Sequence, residues 1–148
     1  MKKSYIPNLI KEIKLYLHII FIIIIWEVYM KEIEVKNFIS KELLRFSFRR
    51  YTKGYKYLKE SIYLCIINID NIENLNKNVF AKIAIKYNEK SYFNIKWCIE
   101  QSLKTMFNNT KLDIVSKYFN LDENIKPSMK FFIYTIVCNY YNRKTLCI

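Results

Sequence analysis

The chain has 148 residues, enough for one domain of ordinary size with its own core and some surplus. Hydrophobic residues at 52% and aromatics at 17% exclude wholesale disorder, while one glycine and two prolines exclude turn-rich β-sandwich and barrel architectures. The formal net charge of +12 is spread along the chain, with 11 basic against 5 acidic residues before Gly54 and 14 against 8 after it. Such a field favours a polyanionic partner, either nucleic acid or an anionic membrane face. Part of the lysine excess is the mark of an AT-rich coding sequence, and a generic solubility role is the competing reading.

The first element is an apolar run, Leu15–Met30, reading LYLHIIFIIIIWEVYM between Lys14 and Lys31. Its unbroken apolar core is only Ile19–Trp26, short of the roughly 20 residues that span a bilayer as a helix. No small residues follow that would mark a signal-peptide cleavage site. The run of isoleucines fits a buried strand or a packing helix equally, so packing or self-association stands ahead of membrane contact through residues 15–30. Residues 1–36 are accordingly read as an N-terminal extension, and 37–148 as the functional domain.

From Lys41 the periodicity is helical. Leu58, Ile62, Cys65, Ile66 and Ile69 recur at helical spacing in Tyr55–Asp70, and Asn71–Asn78 reads as a polar break. Val79, Phe80, Ile83, Ala84 and Tyr87 form a second stripe over Lys77–Tyr87, ending near Asn88. After a short link, Ser91 can cap a helix running to about Phe107, with Ile95, Cys98, Ile99, Ser102, Leu103 and Met106 on its inner face. Leu112, Val115, Tyr118 and Phe119 give a short helix. Pro127 and Ser128 open the last one, lined by Met129, Phe132, Ile133, Ile136, Val137 and Tyr140. The fold class is therefore all-α, a compact bundle of about five to six helices.

Two of these helices, Lys77–Tyr87 and Ser91–Phe107, are joined by a link short enough for a helix-turn-helix, with Ala84 small enough for a close crossing. In that motif the second helix enters the major groove, where polar side chains read base edges and lysines meet phosphate. The outward positions are Asn94, Lys96, Trp97, Glu100, Gln101 and Lys104.

The segments KGYKYLKESI (Lys53–Ile62), NIDNIENLNKNVF, IAIKYN (Ile83–Asn88), LDIVSKYFN (Leu112–Asn120) and KPSMKFFIYTIV (Lys126–Val137) stand in order over about 100 residues. This ordered set resembles the C-terminal effector domain of the stage-zero sporulation response regulator of spore-forming bacteria. The resemblance implies a six-helix DNA-binding fold, acting on promoters as a dimer, and it sets Gly54 on the family's glycine before the first helix. It also exposes departures in the recognition helix. Where the family carries arginine, glutamate, a second arginine, and then arginine and histidine, this chain has Asn94, Lys96, Trp97, Glu100 and Gln101. One extra residue lies between Asn88 and Ile95. An arginine fork to guanine cannot be reproduced by Asn or Lys, so the fold carries over more fully than the target sequence.

The sequence thus points to a sequence-specific, DNA-binding transcription regulator of cytoplasmic location. Lys86, Lys90, Lys96 and Lys104 are the expected phosphate contacts, while Ser91, Tyr92, Asn94, Lys96, Trp97 and Gln101 are expected to face the groove. Double-stranded DNA is the expected partner, bound by a homodimer. The alternative is a fold-retaining interaction or membrane-tethered variant that no longer reads DNA. Residues 1–40 are too short for a phosphate-accepting receiver, and the first aspartate is Asp70. No catalytic constellation, metal site or cofactor motif stands out: His18 is the only histidine, and Cys65, Cys98, Cys138 and Cys147 are too scattered for zinc. Glu73, Glu89, Glu100 and Asp113 read as solvated surface groups, and the cysteines within helical patterns as buried reduced thiols.

Overall fold

The computed structural model describes residues 5–146, and every regular element among them is helical. The order is α1 (Tyr5–Leu43), α2 (Lys53–Ile67), α3 (Ala81–Lys86), α4 (Tyr92–Asn109), α5 (Leu112–Phe119) and α6 (Met129–Leu146). A 3₁₀ turn at Ile69–Ile72 and a π-helical turn at Asn76–Phe80 lie between α2 and α3. The chain divides into two units at Glu34–Val35.

In the first unit the apolar run is helical throughout, so the strand alternative falls. Isoleucine loses only a little rotamer freedom in a helix, and no turn residue interrupts the run. Residues 6–30 are all exposed.

The second unit holds the core. The last turns of α1 belong to it: Val35, Ile39 and Leu43 are each at most 1% exposed. They join Leu58 and Ile62 of α2, Ile95, Ile99 and Met106 of α4, and Phe132, Ile133 and Ile136 of α6, all fully buried. Each such side chain contributes about 1.5–3 kcal/mol on leaving water. Phe46, Phe119 and Phe132 close one end as an aromatic cluster, with centroids 5.1–5.8 Å apart. A buried carboxylate ties the ends of the bundle together. Glu42 of α1, 1% exposed, accepts from the Tyr118 hydroxyl of α5 at 2.6 Å and from the Arg143 guanidinium of α6 at 2.7 Å. Burial, and then the bond to Glu42, raise the Tyr118 phenol well above its usual range.

Side chains cap the start of two helices. Thr52 caps α2, its hydroxyl oxygen accepting from the Tyr55 amide at 3.3 Å, and Ser128 does the same for α6 with the Phe131 amide at 3.2 Å. The segment expected as a polar break, Asn71–Asn78, is instead mostly helical turns. Its asparagines are structural: Asn71 donates to the Leu64 carbonyl, and the Asn74 side chain accepts from the Lys77 amide. Ile72 and Leu75 then reach the core between them.

Candidate nucleic-acid interface

The two-helix unit begins with α3, which ends in a left-handed residue, Asn88, at φ 54°. The Asn88 amide donates to the Ile85 carbonyl at 3.3 Å and the Glu89 amide to the Ala84 carbonyl at 2.9 Å. This pair of bonds is the Schellman closure, and asparagine tolerates the required φ better than other non-glycine residues. It stops α3 and turns the chain into α4 within five residues, Tyr87–Ser91. Ser91 does stand at the N-cap of α4, with extended backbone, but its hydroxyl makes no capping bond. The Ser91 backbone carbonyl accepts from the Asn94 amide instead, at 3.2 Å.

Glu89, at the heart of the turn, is far from a merely solvated group. It accepts from the Tyr57 hydroxyl at 2.5 Å and from the Lys53 ammonium at 2.9 Å, both on α2. Those bonds, Tyr57 first, hold its carboxyl below the ordinary carboxylate range. The turn is thereby pinned to α2.

Along α4, Ile95, Ile99, Leu103, Met106 and Phe107 are buried, while Phe93, Asn94, Trp97, Glu100, Gln101 and Lys104 are exposed. Asn94, Trp97 and Gln101 follow i, i+3, i+7 spacing and form one outward stripe. Phe93 and Trp97 are each 61% exposed, and Tyr92 stacks on Phe93 with centroids 4.2 Å apart. Cys98 and Ser102, expected to face the core, are half-buried against α2. There Gly54 allows the contact: a Cβ on it would lie 2.1 Å from the Cys98 carbonyl oxygen and 2.8 Å from the Ser102 Cβ. Close backbone approach, rather than a positive φ, is the reason for this glycine.

The nine residues singled out from the sequence fall into two groups. Lys90, Ser91, Tyr92, Asn94, Trp97, Gln101 and Lys104 lie on the turn or the outer surface of α4. Lys86 is ion-paired with Glu60 of α2 at 2.6 Å, and Lys96 sits 3.9 Å from Glu100. Residues overlooked in the sequence lie beside them. A cleft of about 230 Å³ is lined by Arg49, Thr52 and Lys53 on one side and Trp97, Gln101 and Thr105 on the other. Arg50, Lys53, Lys56 and Lys59 line a second cleft of about 400 Å³ with Tyr55, Tyr63 and Tyr87. The adjacent arginines before the Thr52 cap were visible in the sequence, but only packing of α2 on α4 shows that Arg49 lies alongside α4 while Arg50 lines the second cleft.

The family model described as sporulation initiation factor Spo0A C terminal matches residues 39–139. This chain belongs to that family. No individually curated protein matches it. The Spo0A C-terminal domain is the DNA-binding effector domain of a sporulation regulator, a transcription-factor domain and not an enzyme family. The matched region covers α2 to α5 whole, with the end of α1 and most of α6, so it takes in the entire helix-turn-helix. Among the described residues no group of three or more His, Cys, Asp or Glu gathers to hold a metal. Cys65 is buried, and burial pushes its thiol up to about 12, which makes it inert.

Proposed function

We propose that the chain is a sequence-specific DNA-binding regulator in which α4 enters the major groove and reads A·T-rich sequence. The observation that carries this is the outward stripe Asn94–Trp97–Gln101 on a helix that contains no arginine. Asparagine and glutamine pair in bidentate fashion with the N6 and N7 edge of adenine, and apolar side chains meet the thymine methyl group. A guanine-reading arginine fork is missing from α4, so G·C pairs would have little to hold them.

Phosphates would be held by Lys90 and Lys104 from the helix-turn-helix and by Arg49 from the cleft beside it. Lys86 and Lys96 can contribute only by exchanging their carboxylate partners for phosphate, a smaller net gain than a solvated lysine provides. A homodimer would place two such helices on one face of the duplex. Activity would then lie in the cytoplasm, with the chromosome.

Selection of bound duplexes from a random library tests this reading. Enrichment of A·T-rich sites is expected, with a loss of up to about 0.8 kcal/mol per contacted thymine when deoxyuridine removes its methyl group. Retention of no duplex, or enrichment of guanine-rich sites, would overturn it. One observation favours a second reading: Phe93 and Trp97 at 61% exposure, with Ile85 at 82%, make an apolar surface that a partner protein could cover. A stable hetero-complex with no DNA binding would establish that alternative.

A further inference from the structure

We propose that the N-terminal helix crosses a lipid bilayer and tethers the DNA-binding-family domain to its cytoplasmic face. The proposal stands on the helix itself and its flanking charges; only the role of the tethered domain rests on the DNA-binding reading.

Two observations carry it. The helix contains an 18-residue window of mean hydropathy 1.9, none of it buried. Its apolar surface has no preferred side. Ile22, Ile23, Ile24 and Ile25 are 64%, 50%, 52% and 52% exposed, and consecutive helical positions advance by about 100°, so the four together nearly encircle the axis. A helix that packs on one partner, or lies flat on a membrane surface, needs an apolar stripe backed by a polar face. A helix apolar all round needs an apolar surround, which a bilayer supplies.

Length is the apparent objection. Leu15–Met30 rises only about 24 Å at 1.5 Å per residue, against a hydrocarbon thickness of about 30 Å. The helix, however, does not stop at either end of that run: it extends unbroken from Tyr5 to Leu43. Lys14 and Lys31 bracket the run, and each can extend its ammonium by several ångströms to the headgroups while its stem stays in hydrocarbon. Tyr16 near one end and Trp26 with Tyr29 near the other stand where interfacial aromatics belong. Glu27 lies four residues before Lys31, close to that same interface.

Charge gives the orientation. Six lysines and arginines fall within the 20 residues after Met30 and four before Leu15, so the C-terminal side is favoured in the cytoplasm. The same helix runs on to Val35, Ile39 and Leu43, which are core residues of the second unit. Removal of the segment by a signal peptidase would therefore have to leave that helical end intact, and no small-residue cleavage site follows the apolar run.

The test uses the full chain expressed in bacteria, with membranes collected by ultracentrifugation and washed in alkaline carbonate. At least tenfold more protein is expected in the carbonate-resistant pellet than in the supernatant, with the N-terminal segment still attached by mass spectrometry. The double variant I22K/I24K places two charges at the centre of the span and is expected to shift that ratio by about a hundredfold towards the supernatant. Its aromatic near-ultraviolet dichroism should match the parent in detergent, which separates lost insertion from misfolding. Four results would overturn the proposal: a soluble parent chain, release by carbonate, a chain starting beyond the apolar run, or a detergent-free soluble oligomer, in which a second copy covers the helix. Binding of duplex DNA by the detergent-solubilised parent is measured separately, so failure of the DNA reading leaves the membrane result standing.

Discussion

Replacing Gly54 with alanine probes the contact that seats α4. At an unobstructed position in the first turn of a helix, this change stabilises by about 0.4–1 kcal/mol, because alanine restricts the unfolded chain. Here the new Cβ would lie 2.1 Å from the Cys98 carbonyl oxygen, 1.3 Å inside the 3.4 Å of ordinary contact, and 2.8 Å from the Ser102 Cβ. The first obstacle is backbone and cannot rotate away. Overpacking of this kind costs about 1–3 kcal/mol and more where backbone must move, so the clash wins by about 2 kcal/mol. In a domain of this size that lowers Tm by roughly 5–10 °C, read by near-ultraviolet circular dichroism in mild detergent. Adding Ser102→Gly removes only the 2.8 Å contact and should recover little. Because the same contact brings Arg49 and Lys53 alongside Trp97 and Gln101, duplex affinity should fall as well. A Tm for Gly54→Ala within about 2 °C of the parent, or above it, would refute the close packing of α2 on α4.

Glu42→Gln replaces the buried carboxylate with a neutral amide, while the half-exposed Arg143 guanidinium can turn to solvent, so a loss of about 1–3 kcal/mol is expected in urea denaturation. Glu89→Gln should destabilise the chain at neutral pH but not in acid. The folded-state carboxyl sits below its ordinary value of 4.5, so its stabilisation is present above that value and is lost as pH falls through the lower folded-state one. Melting curves of parent and variant should therefore draw together as pH falls below 4.5 and meet only below the folded-state value. Gln101→Ala should relax preference at one base pair by about 1–3 kcal/mol, whereas Lys96→Glu should weaken binding to every sequence, both read by gel shift on a panel of duplexes. Arg49→Ala should reduce the slope of log affinity against log salt by about 1 while leaving the preferred sequence unchanged.

The helices were legible in the sequence wherever a stripe faced the core. The set Phe132, Ile133, Ile136, Val137 and Tyr140 is buried as its spacing predicts, and so are Ile95, Ile99, Leu103 and Met106. The two-helix unit was legible as two stripes joined by a short link, a pattern that many helical hairpins share, so it took the ordered family signatures to single it out. What stayed hidden depends on contacts between distant segments. Glu89 looked like a surface carboxylate because Tyr57 and Lys53 lie more than 30 positions away. Glu42 gave no signal of burial for the same reason: its partners are Tyr118 and Arg143. The polar letters of Asn71–Asn78 suggested a loop, yet asparagine side chains there satisfy backbone groups and permit tight helical turns. Read from the sequence, the domain begins at residue 37 and Val35 falls in the extension, because the isoleucine run masks where the core-facing periodicity of Val35, Ile39 and Leu43 begins. Across α3 and α4, composition identified the exposed residues but not which lysines are already paired, and Lys86 of α3 with Glu60 is the clearest case.

The central claim is that α4 and the cations beside it hold duplex DNA. Fluorescence anisotropy of a labelled A·T-rich duplex, titrated with the detergent-solubilised chain from about 50 to 200 mM salt, tests it most directly. With three to five phosphates neutralised, log affinity should fall linearly with log salt, with a slope between about −2.7 and −4.5. A flat dependence, or no binding at the lowest salt, would contradict it.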